Sequence, residues 1–211
     1  MHIVVAGNIG SGKTTLTGML AKQFSWEAAY ETVENNPYLT SFYQDMQRWS
    51  FNLQVYFLNK RFRKILELRK KKKSVIQDRT IYEDAYIFSK NLYDMGLMAT
   101  RDYENYTSLF ELVTQFIDYP DLLIYLRADT PTLVSQIQKR GREYESSIRI
   151  DYLENLNKHY EEWIKRYEEE VVKEGKGKLL VIDVSQIKFG ENPEDFGTVY
   201  NMVNAELFGL F

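Results

Sequence analysis

Ile3-Val4-Val5-Ala6-Gly7-Asn8-Ile9-Gly10-Ser11-Gly12-Lys13-Thr14 runs a short apolar segment into the pattern G-x-x-x-x-G-K-[ST]. The apolar residues predict a buried strand, and residues 14–24 have the spacing of an amphipathic helix. Strand, glycine-rich turn and helix in that order are the context a phosphate-cradling loop needs. Its glycines let backbone N–H groups turn inward, and the helix aims its positive end at the anion. Lys13 then reaches the β- and γ-phosphates, and the Thr14 hydroxyl can sit on Mg2+. Gly7, Asn8, Ile9, Gly10, Ser11, Gly12, Lys13, Thr14 and Thr15 are therefore the expected nucleotide contacts. The alternative, an ordinary strand–turn–helix corner, leaves the lysine and the threonine unexplained.

Working outward, four further apolar runs read as buried strands, near 27–30, 74–77, 121–126 and 179–182. Between them lie helical stretches at about 37–47, 48–71, 81–94, 100–118, 131–140, 149–172 and 194–208. This alternation predicts an α/β fold with a parallel sheet covered on both faces. With 211 residues, no internal repeat and no low-complexity linker, one domain spanning 1–211 is expected. The absence of cysteine excludes disulfides, thiolate zinc sites and cysteine nucleophiles, and fits a reducing cytoplasm. A net charge of −3 argues against a dedicated nucleic-acid binder. No uncharged stretch approaches membrane-spanning length, and a strand starting at residue 2 or 3 leaves no room for a leader before it. A soluble cytoplasmic protein is the expectation. The run Arg69-Lys70-Lys71-Lys72-Lys73 reads as the solvated end of a long helix.

In parallel sheets ligands bind beyond the carboxyl ends of the strands, so those positions carry the candidate chemistry. Asp78 follows the third strand, where an acid commonly holds the magnesium shell; it is equally placed to cap a helix starting at Ile81. Arg140-Gly141-Arg142, on a short connection, can fold over a γ-phosphate as a lid, or can simply be solvated at a helix end. Glu31 follows the second strand. A carboxylate there suits a neutral hydroxyl acceptor, whose proton it can take, and would repel an acceptor that is already a phosphate. Gln54, Phe57 and Arg61, spaced i, i+3 and i+7, share one helical face that can read and stack on a base, or face solvent.

Together with Tyr43, the segment Asp78-Arg79-Thr80-Ile81-Tyr82-Glu83-Asp84 and Glu145, these residues resemble the deoxynucleoside kinase family across nearly the whole chain. The short chain and Glu34-Asn35-Asn36-Pro37 look most like its small bacterial purine-specific members. Two turns depart from the family: Asp78-Arg79-Thr80 stands where Glu-Arg-Ser is common, and Glu31-Thr32-Val33 where Glu-Pro-Val is.

The resemblance implies a three-layer P-loop kinase fold with a five-stranded parallel sheet and a short arginine lid. It implies Glu31 as the base for the 5′-hydroxyl, with Asp78 as the alternative acceptor, and Arg79 beside the 5′-end. Tyr43 and Glu145 would hold the 3′-hydroxyl, Gln54 and Asp84 would bond the base, and Phe88 would stack on it. Arg61 would pair with Asp84, and Arg140 and Arg142 would close the lid. ATP with Mg2+ would be the donor. The acceptor would be a purine deoxynucleoside first, deoxycytidine second and thymidine poorly, in nucleotide salvage. A homodimer through helices 48–71 and 81–94 is also implied.

Two rivals stay open on sequence: a thymidylate-kinase-like monophosphate kinase on the same scaffold, and a nucleotide-binding switch or scaffold without an acceptor. Against a GTPase, Asn59-Lys60-Arg61-Phe62 lacks the aspartate of the guanine-reading motif.

Overall fold

A computed structural model of the chain describes residues 1–31, 36–71, 73–142, 145 and 148–209. Thr32, Val33, Glu34 and Asn35 of the expected turn, Lys72, and Glu143 and Tyr144 of the lid segment lie outside the described residues.

Five parallel strands form the sheet: β1 (His2–Gly7), β2 (Glu27–Ala29), β3 (Val75–Asp78), β4 (Leu122–Arg127) and β5 (Lys178–Asp183), in the spatial order β2-β3-β1-β4-β5. β1 is central and alternates cleanly. Ile3 and Val5 join the core on one face, with Leu16 and Leu20 of α1 (Lys13–Phe24) and Val199 and Val203 of α9 (Pro193–Phe208). Val4 and Ala6 join the larger core on the other face. That face is covered by α3 (Met46–Arg69), α4 (Ile81–Glu83), α5 (Lys90–Asp94), α6 (Thr100–Thr114) and α8 (Ile150–Tyr167). The period-2 split of one strand between two cores is what a sheet buried on both faces requires. Completing the fold are α2 (Leu39–Gln44) and α7 (Thr130–Arg140), the latter capped by Asp129 and ended by Gly141 at φ 65°.

Three details differ from the expectation. The helices expected at 37–47 and 48–71 divide earlier, at Asp45, whose carboxylate accepts the Arg48 N–H at 3.0 Å and so starts α3. The stretches 81–94 and 149–172 are not single regular helices: Asp84–Ser89 between α4 and α5, and Glu168–Val172 after α8, are π-helical, wide turns that hydrophobic spacing does not reveal. The helix expected over 100–118 ends at Thr114, whose hydroxyl turns back onto the Phe110 carbonyl at 2.9 Å.

The register sets the site. β1 and β3 pair with Val5 opposite Asp78, which puts that carboxylate beside the loop leaving β1. Among the described residues no helix is long and apolar enough to cross a membrane. The basic run is tied to its own protein: Arg69 bonds Asp118 at 2.6 Å and Lys71 bonds Glu27.

Candidate active site

The loop from β1 wraps an open helix start. Gly12, at φ 92°, precedes α1 and no side chain caps its first turn, so those N–H groups face the loop interior. Gly10, at φ 86°, lies so close to α7 that a Cβ would stand 2.9 Å from the Leu133 carbonyl. Lys13 curls back to donate to the Asn8 carbonyl at 2.8 Å. Asn8 itself is buried and anchored on α8, donating to Asn157 at 2.7 Å and to the Leu153 carbonyl at 3.1 Å. Burial and the neighbouring Arg79 charge lower the Lys13 amine to about 7, against the pull of Asp78, Glu83 and Glu31.

Thr14 donates its hydroxyl to Asp78 Oδ2 at 2.5 Å. The other carboxylate oxygen, Oδ1, is buried with no hydrogen-bond partner. The cap of α4 is Thr80, not Asp78, within a capping box closed by Glu83. An unpartnered carboxylate oxygen beside a hydroxyl fits a hard divalent cation that draws its remaining ligands from elsewhere. Among the described residues no group of three or more His, Cys, Asp or Glu forms a site by itself.

Arg79 stands in the left-handed region at φ 69°, unusual for a side chain of its size. The kink is held on both sides. Its N–H donates to the Val5 carbonyl at 2.9 Å, and its carbonyl accepts from the Gln77 amide at 2.8 Å. Gln77 in turn meets His2 at 2.9 Å. The turn throws the Arg79 guanidinium over the Phe88 ring, 4.5 Å from its centre, with Nε 3.2 Å from Glu31. On the far side Arg61 lies over Phe57, donates one nitrogen to Glu31 and another to Asp84 at 2.6 Å.

Glu31 therefore sits between two arginines. Burial alone would raise its carboxyl, but Arg61, Arg79 and Lys13 outweigh it and hold it at about 2. Asp84 goes the other way: burial raises it to about 7 despite Arg61, with Glu31 adding to the rise.

These groups line one cavity of about 860 Å³ open to solvent, of a size that suits a small-molecule ligand. Ile9, Gly10, Lys13, Thr14, Glu31, Tyr43, Gln54, Phe57, Arg61, Asp78, Arg79, Asp84, Phe88, Arg140, Arg142 and Glu145 all contribute. Gln54 and Arg61 are thus buried inward, not solvated. At the deep end Gln54 Oε1 and Asp84 Oδ2 are buried acceptors without partners. Tyr43 stands edge-on to Phe42. At the mouth, Glu145 is buried and gripped by Arg140, at 2.5 Å to each carboxylate oxygen, with Arg142 at 3.5 Å. Gly7 and Asn8 stay behind the loop, outside this cavity.

Sequence reasoning missed two features. A second cavity, on the other side of the phosphate loop, is lined by Ser11, Gly12, Thr15, Gln136, Lys139, Lys188 and Phe189. The segment after β5 that closes it carries no motif. The second feature is the role of Glu83, fully buried and central to the hydrogen bonding of both loops; the Thr80-x-x-Glu83 capping spacing is the local signal that could have pointed to it.

The geometry has close counterparts. The sequence model for deoxynucleoside kinases matches residues 3–208. A deoxyadenosine/deoxycytidine kinase of Bacillus subtilis is 45% identical over 164 residues, 77% of this chain and 76% of that protein. A deoxyguanosine kinase of Lactobacillus johnsonii is 35% identical, over 97% of this chain and 92% of its own. A solved deoxyadenosine kinase from M. mycoides, with dCMP and a flexible dCDP bound, superposes with a TM-score of 0.84 at 31% identity. It covers 97% of this chain and all of its own. A family model that matches nearly the whole chain, and relatives that share a third or more of its residues, show that this chain belongs to the deoxynucleoside kinase family.

Proposed function

We propose that the enzyme transfers the γ-phosphoryl group of ATP to the 5′-hydroxyl of a purine deoxynucleoside, with deoxycytidine also accepted. The carrying observation is Glu31: an ionised carboxylate in the cavity, on the acceptor side, within reach of Arg61 and Arg79. An uncharged alcohol is welcome there and a phosphate monoester is not, which removes the reason for a monophosphate-kinase reading. Gln54, Arg61 and Asp84 lining the same cavity likewise leave the scaffold reading without support.

In this reading the loop N–H groups and Lys13 hold the donor phosphates, and the donor's base occupies the second cavity beside Phe189 and Lys188. Thr14 and Asp78 would hold Mg2+, which when bound neutralises phosphate charge. The Thr14–Asp78 bond supports a donor-side role for Asp78 and so favours Glu31 over Asp78 as proton acceptor. Glu31 orients the hydroxyl in line. Held at about 2, it is a weak base, which suits a loose transition state where little negative charge builds on the entering oxygen and the proton leaves late. Arg79 steadies Glu31, and Arg140 and Arg142 turn from Glu145 toward the transferred group as the lid closes. Tyr43 and Glu145 hold the 3′-hydroxyl. Phe88 stacks on the base, and the unpartnered oxygens of Gln54 and Asp84 accept its edge donors.

For assembly, α3, one of the two helices expected to pair with a second copy, carries the exposed Leu66, and Leu109 and Leu112 on α6 with Phe116 just beyond are also among the exposed large apolar side chains. A homodimer through α3 and α6 covers them. A soluble, cytoplasmic enzyme of nucleotide salvage completes the proposal.

Four outcomes test it. Glu31→Gln is expected to lower turnover by roughly 10²–10⁴-fold while the deoxynucleoside KM stays within a few-fold. Turnover near the parent value would remove Glu31 from the proton path. Arg61→Met combined with Asp84→Ala deletes both halves of a buried ion pair, so neither is stranded, and opens space at the base. Thymidine relative to deoxyadenosine should gain at least tenfold in kcat/KM; unchanged selectivity would show that this pair does not read the base.

Lys13 gives a pH dependence. Its amine is at about 7 in the free protein and is raised by bound phosphate, so its contribution is full below 7 and lost as pH rises further. ATP affinity, titrated directly between pH 7 and 9, should weaken by up to about tenfold per unit. A flat profile, or one that Lys13→Met fails to flatten, contradicts the assignment. Leu112→Glu with Phe116→Glu should halve the mass seen by light scattering; a parent chain that is already monomeric, or a double variant still dimeric, rejects the interface.

A further inference from the structure

Glu83 lies outside the ligand cavity, yet it is fully buried and surrounded by polar atoms from three parts of the chain. Oε1 accepts the Gly7 N–H at 3.2 Å, at the start of the phosphate loop. Oε2 accepts the Thr80 N–H at 2.7 Å, at the end of the turn that carries Asp78 and Arg79. The Tyr160 hydroxyl of α8 stands 2.7 Å from Oε1 and 2.8 Å from the Gly7 carbonyl. Arg79 Nη1 is 4.0 Å away.

Both turns joined by this carboxylate are conformationally demanding. Gly7 is at φ 149°, and a Cβ there would stand 2.8 Å from the Leu126 carbonyl. Arg79 is left-handed at φ 69° without being glycine. Neither conformation is the chain's free preference, so each depends on hydrogen bonds that fix the peptide groups beside it. Glu83 supplies one to each.

We propose that Glu83, with Tyr160, is the positioning residue that sets the donor loop and the Asp78-Arg79 turn at a fixed separation, so that phosphoryl donor and acceptor meet in line. A capping box alone needs only the bond to Thr80. The second oxygen, spent on Gly7 from seventy-six residues away, is what a helix cap does not require. Glutamine keeps the size and one acceptor oxygen, but its NH2 must then oppose a backbone N–H at one of the two loops. The side chain can hold either loop and not both. Tyr160 carries one hydroxyl proton for two acceptors, so it joins Glu83 and the Gly7 carbonyl into one unit and has no separate role.

The inference rests on Asp78 and Arg79 serving phosphoryl transfer. That reading is tested separately by Asp78→Asn and Arg79→Lys, whose turnover should fall with Glu83 left intact, so the two can fail independently. The experiment is a kinetic double-mutant cycle on the full chain with Glu83→Gln, Tyr160→Phe and both, using ATP and deoxyadenosine. A misplacement of about 1 Å costs on the order of 10²-fold in rate. Glu83→Gln should therefore lower kcat by roughly 30–100-fold with both KM values within about threefold, and Tyr160→Phe by roughly 3–10-fold. The double variant should be no slower than Glu83→Gln alone, because both act through the Gly7 peptide.

A purely structural residue would instead lower the thermal midpoint and leave kcat unchanged in the folded fraction. That result overturns the proposal, as do losses confined to KM or multiplying independently in the double variant. Should Glu83→Gln not fold, Tyr160→Phe decides alone, since it leaves the carboxylate and its two backbone bonds in place: unchanged kcat there overturns the proposal.

Discussion

Opposite charges held out of water organise this molecule. Lys13, Arg61 and Arg79 stand against Glu31, Asp78, Glu83 and Asp84, and all but Glu31 are less than a tenth exposed. Removing each from water is costly, and only mutual pairing with good geometry offsets it. No member can therefore be placed independently. The parallel sheet meets this constraint by ending three neighbouring strands together, so that Gly7, Asp78 and, two residues past β2, Glu31 leave the sheet at one level. Aromatic faces finish the arrangement: Phe57 under Arg61 and Phe88 under Arg79 shield the guanidiniums from solvent while leaving their edges to the carboxylates.

What could be read from the sequence follows from the range of the physics involved. Strand β1 and the phosphate loop were legible because their determinants are adjacent: an apolar run, fixed glycines, a lysine and a threonine. The parallel sheet could be read from the alternation of elements alone, but not the spatial order of its strands, which depends on crossovers between distant segments. Gln54 and Arg61 were ambiguous, because helical spacing says two residues share a face and not what that face meets. The π-helical stretch from Asp84 to Ser89 was invisible for a related reason: a wider turn leaves the apolar spacing nearly unchanged over six residues. Glu83 was given no role of its own, because its second partner is seventy-six residues away. The cavity beside Phe189 depends on a segment after β5 with no compositional signature.

On the proposed roles of Gln54 and Asp84, one pocket would serve more than one base. Gln54 and Asp84 present two buried oxygens with no donor, and an unmet acceptor in a dry site favours whichever ligand brings N–H groups to it. Adenine and cytosine both carry an exocyclic amine beside a ring acceptor. Burial raises the Asp84 carboxyl against the pull of Arg61, and its unpartnered oxygen can accept from an amine. Arg61 fixes the other oxygen, Oδ1, at 2.6 Å. Thymine offers no amine and would set a methyl group against the same walls, so on the proposed roles its poor acceptance would need no separate device.

The lid carries the opposite logic. Arg140 and Arg142 are both committed to Glu145, the carboxylate that the family resemblance gives to the sugar. Without a ligand, that pairing keeps two cations near the mouth of the cavity while neutralising part of their charge. In the proposed function a sugar hydroxyl on Glu145 would compete for the same oxygens and loosen the guanidiniums. A triphosphate in the loop would then offer them a stronger partner, because charge-assisted bonds to phosphate are among the strongest available. On that proposal neither ligand alone supplies both halves of the exchange, so the ion pairs would hold the arginines back from ATP until a nucleoside is also bound.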